Sequence, residues 1–95
     1  MVEFVQQGEQ CLVKGRLTQT DVSSLWTQKD ALLGPQTREL ELSALEYSDS
    51  AGIAFLINLS RQGRTQHLRL MAPSPQLKKL IALYNLAAFF SEEAN

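Results

Sequence analysis

Residues 47–53, Tyr47-Ser48-Asp49-Ser50-Ala51-Gly52-Ile53, pass from a polar, turn-forming run to an apolar helical one within three residues. The stretch reads as a loop ending in a helix cap. Ser50 is a residue type favoured at the N-cap, its hydroxyl able to accept from the free amides of the first turn, and Asp49 would sit beside the positive end of the helix dipole. Ala51 and Gly52 keep that turn bare of bulk, so another surface can approach the backbone closely. Two readings stay open here: a docking point, or a cap that packs locally and does nothing else.

Outward from this stretch, residues 38–45 lead into it as a strand, with Leu40, Leu42 and Ala44 on one side and Glu39, Glu41 and Ser43 on the other. Upstream, residues 2–6 are β-prone, Gln7-Gly8-Glu9 is a turn signal, and a second strand alternates Cys11, Val13, Gly15 and Leu17 with Gln10, Leu12, Lys14 and Arg16. Thr18 or Thr20 caps a first helix with Asp21 in its first turn. Val22, Leu25, Trp26, Lys29, Leu32 and Leu33 follow as its stripe, and Gly34-Pro35 ends it. Trp26 reads as core or stripe edge rather than as a platform for a ligand. Downstream of the central helix, Gly63 and residues 64–66 connect to a fourth strand in which Leu68 and Leu70 alternate with His67, Arg69 and Met71. Ser74 caps a last helix with Pro75 at its first position, Leu77, Leu80, Ile81 and Tyr84 inside, and Asn85 as a left-handed stop. Residues 86–90 add an apolar coda before the polar tail 91–95.

The order β-β-α-β-α-β-α implies an α/β domain spanning residues 1–95, with parallel strands joined by right-handed crossovers and the first strand antiparallel. Strands covered on both faces would be apolar throughout, yet these carry one polar side, so the helices should lie mainly on one face. On the open face, Glu39 and Glu41 between Lys14 and Arg16 on one side and Arg69 on the other pair unlike charges, which supports a four-stranded mixed sheet of order 1-2-3-4.

With 44% hydrophobic residues the chain can bury a core, and a formal charge of −1 with scattered basic residues gives little footprint for nucleic acid. No apolar run approaches the roughly 18 residues of a membrane span, and MVEFVQQGEQ lacks the basic start and apolar core of a signal peptide, so a cytoplasmic location is expected. Cys11 and His67, one of each, fall short of a metal-ligand set, and no Gly-rich phosphate loop occurs. Ser50 has no base within sequence reach, and Glu39 and Glu41 read as a solvated face. The residues themselves therefore point to no catalytic, metal or cofactor site.

The element order, together with Asp49-Ser50-Ala51-Gly52-Ile53-Ala54 at the start of the second helix, resembles the STAS domain, named for sulfate transporters and anti-sigma factor antagonists. The resemblance covers nearly the whole chain. Gly15-Arg16-Leu17, Leu25-Trp26 and Leu83-Tyr84-Asn85-Leu86 resemble most the stand-alone STAS subunits of phospholipid-trafficking ABC systems that maintain outer-membrane lipid asymmetry. It implies a binding module without catalysis, seated on the cytoplasmic nucleotide-binding ATPase of the transporter and peripheral to the inner membrane. The other branch implies an anti-sigma factor antagonist in which Ser50 is phosphorylated by a partner kinase that switches binding off.

The partner-binding residues expected on either branch are Asp49, Ser50, Ala51, Gly52, Phe55 and Asn58. On the second helix, Ile53, Leu56, Ile57 and Leu59 span an arc that can face the sheet. Phe55 falls outside it, among Ala51, Asn58 and Gln62, and is either an interface anchor or packed against a neighbouring helix.

Overall fold

A computed structural model describes residues 2–61 and 68–90, and the expected connection at 63–66, together with Gln62, His67 and the tail 91–95, lies outside the described residues. The elements are β1 (Val2–Gln7), β2 (Gln10–Leu17), α1 (Gln19–Leu25) continuing as a 3-10 turn (Trp26–Ala31), β3 (Glu39–Glu41), β4 (Leu45–Ser48), α2 (Ser50–Arg61), β5 (Arg69–Met71), α3 (Pro75–Leu83) and a final 3-10 turn (Ala87–Phe89). Gly8 closes the β1–β2 hairpin with φ 60°, the positive value that a two-residue hairpin loop needs at its first position.

The sheet runs β1-β2-β3-β5 with only β1 antiparallel, and β4 joins the same edge of β2 beyond β3. The expected order and the antiparallel first strand therefore hold, but the strand expected over 38–45 is two strands. β2 pairs with β3 through Gln10, Cys11 and Leu12 and with β4 through Gly15, Arg16 and Leu17. At Gly15, which has φ 94°, the register with β4 slips so that Leu45 and Tyr47 face consecutive residues of β2 and Glu46 between them is passed over. Across the break, Leu42 donates to Met71 O (2.9 Å), Leu45 to Leu42 O (3.1 Å), and Ser43 N–H to the Glu41 carboxylate (2.7 Å). Tyr47 and Ser48 are consequently the end of a strand, not a loop.

One face of the sheet carries the core. Cys11, Val13, Leu17, Leu40, Leu42, Leu45 and Leu70 meet Ile53, Leu56 and Leu59 from α2 and Leu77 and Ile81 from α3, while Lys14, Arg16 and Arg69 face out. The charges on the open face pair differently from expectation, because the parallel register sets Gln10 and Leu12 of β2 opposite β3. Glu39 does make an ion pair with Arg69 across β3 and β5. Lys14 instead lies opposite Glu3 of β1, and the Arg16 guanidinium stacks 4.5 Å from the centre of the Tyr47 ring.

α1 is shorter than its apolar stripe implied, tightening into the 3-10 turn at Trp26. The two ends of α3 are as expected, with Ser74 Oγ accepting from Leu77 N–H, Pro75 opening the helix and Asn85 at φ 58° ending it. Of the expected inner stripe, however, Leu77 and Ile81 are buried and Leu80 half-buried, while Tyr84, at the C-cap where the chain leaves the helix, is 50% exposed. Leu86 N–H then reaches Ile81 O (2.9 Å) and Asn85 N–H reaches Ala82 O (3.3 Å), the paired bonds that close a helix through a left-handed residue. Among the described residues no helix is long and apolar enough to cross a membrane.

Candidate docking face

Asp49 holds the start of two helices at once. One carboxylate oxygen accepts from Gly52 N–H in α2 (2.9 Å), the other from Gln19 N–H at the start of α1 (2.9 Å), and its carbonyl accepts the first helical bond from Ile53 N–H (3.1 Å). The cap of α2 is therefore Asp49 and not Ser50, which is the first helical residue and exposed. A carboxylate gives each amide its own oxygen, whereas a serine hydroxyl has a single oxygen on an equally short side chain. The α1 start has its own carboxylate: Asp21 accepts from the Thr18 N–H (2.9 Å) and hydroxyl (3.0 Å). The Thr18 backbone bond, as the main cause, holds the Asp21 pKa below the ordinary aspartate value.

The strand leading into α2 is fixed from the side. Among the described residues β4 pairs only with β2, and its other edge is met by Gln76 of α3, whose carbonyl accepts from Ser48 N–H and whose amide donates to Ser48 O, both at 2.9 Å. Ser48 is fully buried, its hydroxyl donating to Asp49 O (3.0 Å). Gly52 stands directly against it. A Cβ at Gly52 would lie 2.3 Å from Ser48 Oγ and 2.5 Å from Leu17 O, so the bareness of this turn admits the protein's own strands and not an outside surface.

α2 is turned so that Phe55, 1% exposed, is in the core while Ile57 is only half-buried. The reason is α1, which covers a second flank of α2 and places Trp26 with its ring 6.0 Å from that of Phe55. Phe55 therefore packs against a neighbouring helix, and Phe55 and Gly52 leave the set of surface residues. Ser50 and Ala54 remain exposed, with Ala51 and Asn58 half-buried beside them. Trp26 itself is 45% exposed at the rim, with Lys29 Nζ 3.9 Å from its ring centre.

Ala54, Trp26 and Gln76 join the neighbourhood without having been expected there. Ala54 was readable as the next small residue one turn beyond Ala51. Nothing local marked Gln76, whose partner is 28 residues away.

The result is a low, small-residue strip at the start of α2 with an aromatic rim, suited to another protein's surface. Burial raises the Cys11 thiol above its ordinary pKa, as expected for a group packed inside. Among the described residues no cluster of three or more His, Cys, Asp or Glu side chains is placed to hold a metal.

Among solved structures, the chain is similar to the anti-sigma factor antagonist SpoIIAA in its unphosphorylated form: 16% identical, TM-score 0.57, covering 87% of this chain and 83% of that one. At that identity the likeness is one of fold. Curated proteins give no match. A family model described as "Mlab, STAS domain" matches residues 2–91. Since this match extends over all ten described elements, the chain belongs to that family of STAS domains.

Proposed function

We propose that the chain is a non-catalytic accessory subunit that binds and supports the nucleotide-binding ATPase of a phospholipid-transporting ABC complex maintaining outer-membrane lipid asymmetry. It works in the cytoplasm, reaching the inner membrane only through that partner. The family description favours this assignment. The observation that carries the docking role is the division of labour at the α2 start: Asp49 and Gly52 turn inward and fix the turn, leaving Ser50, Ala51 and Ala54 as an open strip. A protein surface laid on that strip meets no bulky side chain.

One observation favours the second branch, a phosphorylatable anti-sigma factor antagonist. The Ser50 hydroxyl is exposed and makes no hydrogen bond to any described residue, so a kinase can reach it. Capture from native cytoplasmic and membrane fractions, followed by affinity measurements and intact-mass analysis of native chain for phosphate, separates the two. On the transporter reading an ABC ATPase is recovered, and Ser50→Ala binds it no better than wild type and weaker by up to about 0.5–1.5 kcal/mol, one hydrogen bond's net worth. Recovery of a small serine kinase, phosphate on the native chain and constitutive binding by Ser50→Ala would establish the antagonist instead.

A further inference from the structure

Beyond the Ser50 strip, the C-terminal half of the exposed α2 face opens into a groove of about 660 Å³ lined by Lys29, Ala54, Ile57, Asn58, Arg61 and Phe89. Among the described residues its charge is of one sign: Lys29 and Arg61 are the only ionisable ones that line it, and neither is in an ion pair with a described residue. Each is braced by an aromatic ring instead: Lys29 Nζ stands 3.9 Å from the Trp26 ring centre, and the Arg61 guanidinium 5.2 Å from that of Phe89. Between them Asn58 Oδ1 is buried with no hydrogen-bond donor among the described residues. A buried, unpaired carbonyl oxygen destabilises the free protein, and a ligand N–H that meets it as the half-buried Asn58 side chain turns toward the groove removes that cost. Ala54, Ile57 and Phe89 make the remainder of the lining apolar.

The groove thus calls for an N–H donor, a negative charge and an apolar group within a short span. An inorganic anion supplies only the charge, whereas an extended peptide supplies all three at the spacing of consecutive residues. We infer that this groove takes an extended acidic segment of a partner protein, with a backbone N–H on Asn58 Oδ1, a carboxylate toward Lys29 and Arg61, and an apolar side chain against Ile57 and Phe89. The inference deepens the docking reading and rests on it in assigning the segment to the protein that lies on α2.

Random octapeptides displayed on phage and selected on the intact chain test it, with the best selected peptide titrated by the fluorescence of Trp26, the chain's only tryptophan. Selected sequences should carry an acidic residue beside an apolar one. Joint Lys29→Gln and Arg61→Gln substitution should lower affinity about tenfold or more with unchanged circular dichroism, as for the loss of charge-assisted contacts. Asn58→Leu should weaken peptide binding about fivefold while raising the denaturation midpoint, because the orphaned oxygen is gone; a residue of purely structural importance would not move the two in opposite senses. Failure to select any peptide, selection of peptides without carboxylates, or affinity unchanged in these variants overturns the inference. Peptide binding that survives when the ATPase does not bind would leave the groove assignment standing and remove the transporter reading; ATPase binding without any peptide binding would do the reverse.

Discussion

Gly52→Ala tests whether the first turn of α2 is shaped for the protein's own strands. In an exposed helix interior this substitution would stabilise by about 1 kcal/mol through helix propensity. Here the added methyl would stand 2.3 Å from Ser48 Oγ, 2.5 Å from Leu17 O and 3.0 Å from Leu17 Cγ. Neither close neighbour can yield cheaply. Leu17 O belongs to the strand backbone and accepts from Asp49 N–H at 3.3 Å, while Ser48 is fully buried with its hydroxyl bonded to Asp49 O. Overpacking of this kind costs about 1–3 kcal/mol, and two contacts this close put it at about 2–3 kcal/mol, so after the propensity gain of about 1 kcal/mol the net loss should be about 1–2 kcal/mol.

Chemical denaturation read by circular dichroism gives the number, and a cycle with Ser48→Ala gives its source. Removing the hydroxyl relieves the nearer of the two contacts and leaves the Leu17 carbonyl in place, so the double variant should recover part of the loss and not all of it. Gly52→Ala as stable as wild type, or more so, would refute the reasoning and return the turn to the outward-facing docking role.

Asp49→Ala should destabilise by about 1–2 kcal/mol, above the usual value for a single cap because Gln19 and Gly52 both lose their acceptor; denaturation midpoints measure it, and Asp49→Asn should fall in between. Gln76→Leu should cost about 1–3 kcal/mol, since it strips both the N–H and the carbonyl of Ser48 of their partners, again read by denaturation. Asp21 has a folded pKa below its unfolded one, so its contribution is complete above the ordinary carboxylate range and is lost as pH falls through the folded value; wild type should lose stability more steeply on acidification below about pH 4 than Asp21→Asn. Cys11, buried with a raised pKa, should react with a thiol reagent such as dithionitrobenzoate only as fast as the domain opens, so labelling that is rapid in native buffer would contradict its placement.

The alternation in β2 was legible because every second residue meets the helices, and Cys11, Val13 and Leu17 are all fully buried. The break between β3 and β4 was not, because the alternating pattern continues across the turn and the exchange of partners is made along β2, between Leu12 and Gly15, far from residues 38–45 in sequence. The rotation of α2 was hidden for a similar reason. Periodicity ranks Ile57 above Phe55 for the sheet face, but it does not contain α1, whose packing carries Phe55 inward and leaves Ile57 at the groove. Choosing between Asp49 and Ser50 as cap required knowing that a second amide donor, thirty positions away in sequence, stands within reach. In each case the local signal was sound for one neighbour and the chain had two.

The inward turn of Asp49 also constrains what a phosphate on Ser50 could do. The Asp49 carboxylate is held by two amides, so it cannot swing away from a dianion introduced at the next residue without releasing one helix start or the other. Like charges in such proximity repel, and the phosphate would be driven outward from the α2 terminus into the space above Ala51 and Ala54. Both helix caps would survive, since neither uses the Ser50 hydroxyl. The modification would then act wholly on whatever surface lies on the strip, through bulk and the desolvation of two negative charges, leaving the fold beneath unchanged. An Asp-Ser pair at this position is thus compatible with a switch and with a permanent contact alike: the aspartate builds the turn in either case, and only the chemistry of the facing protein decides what the serine is for.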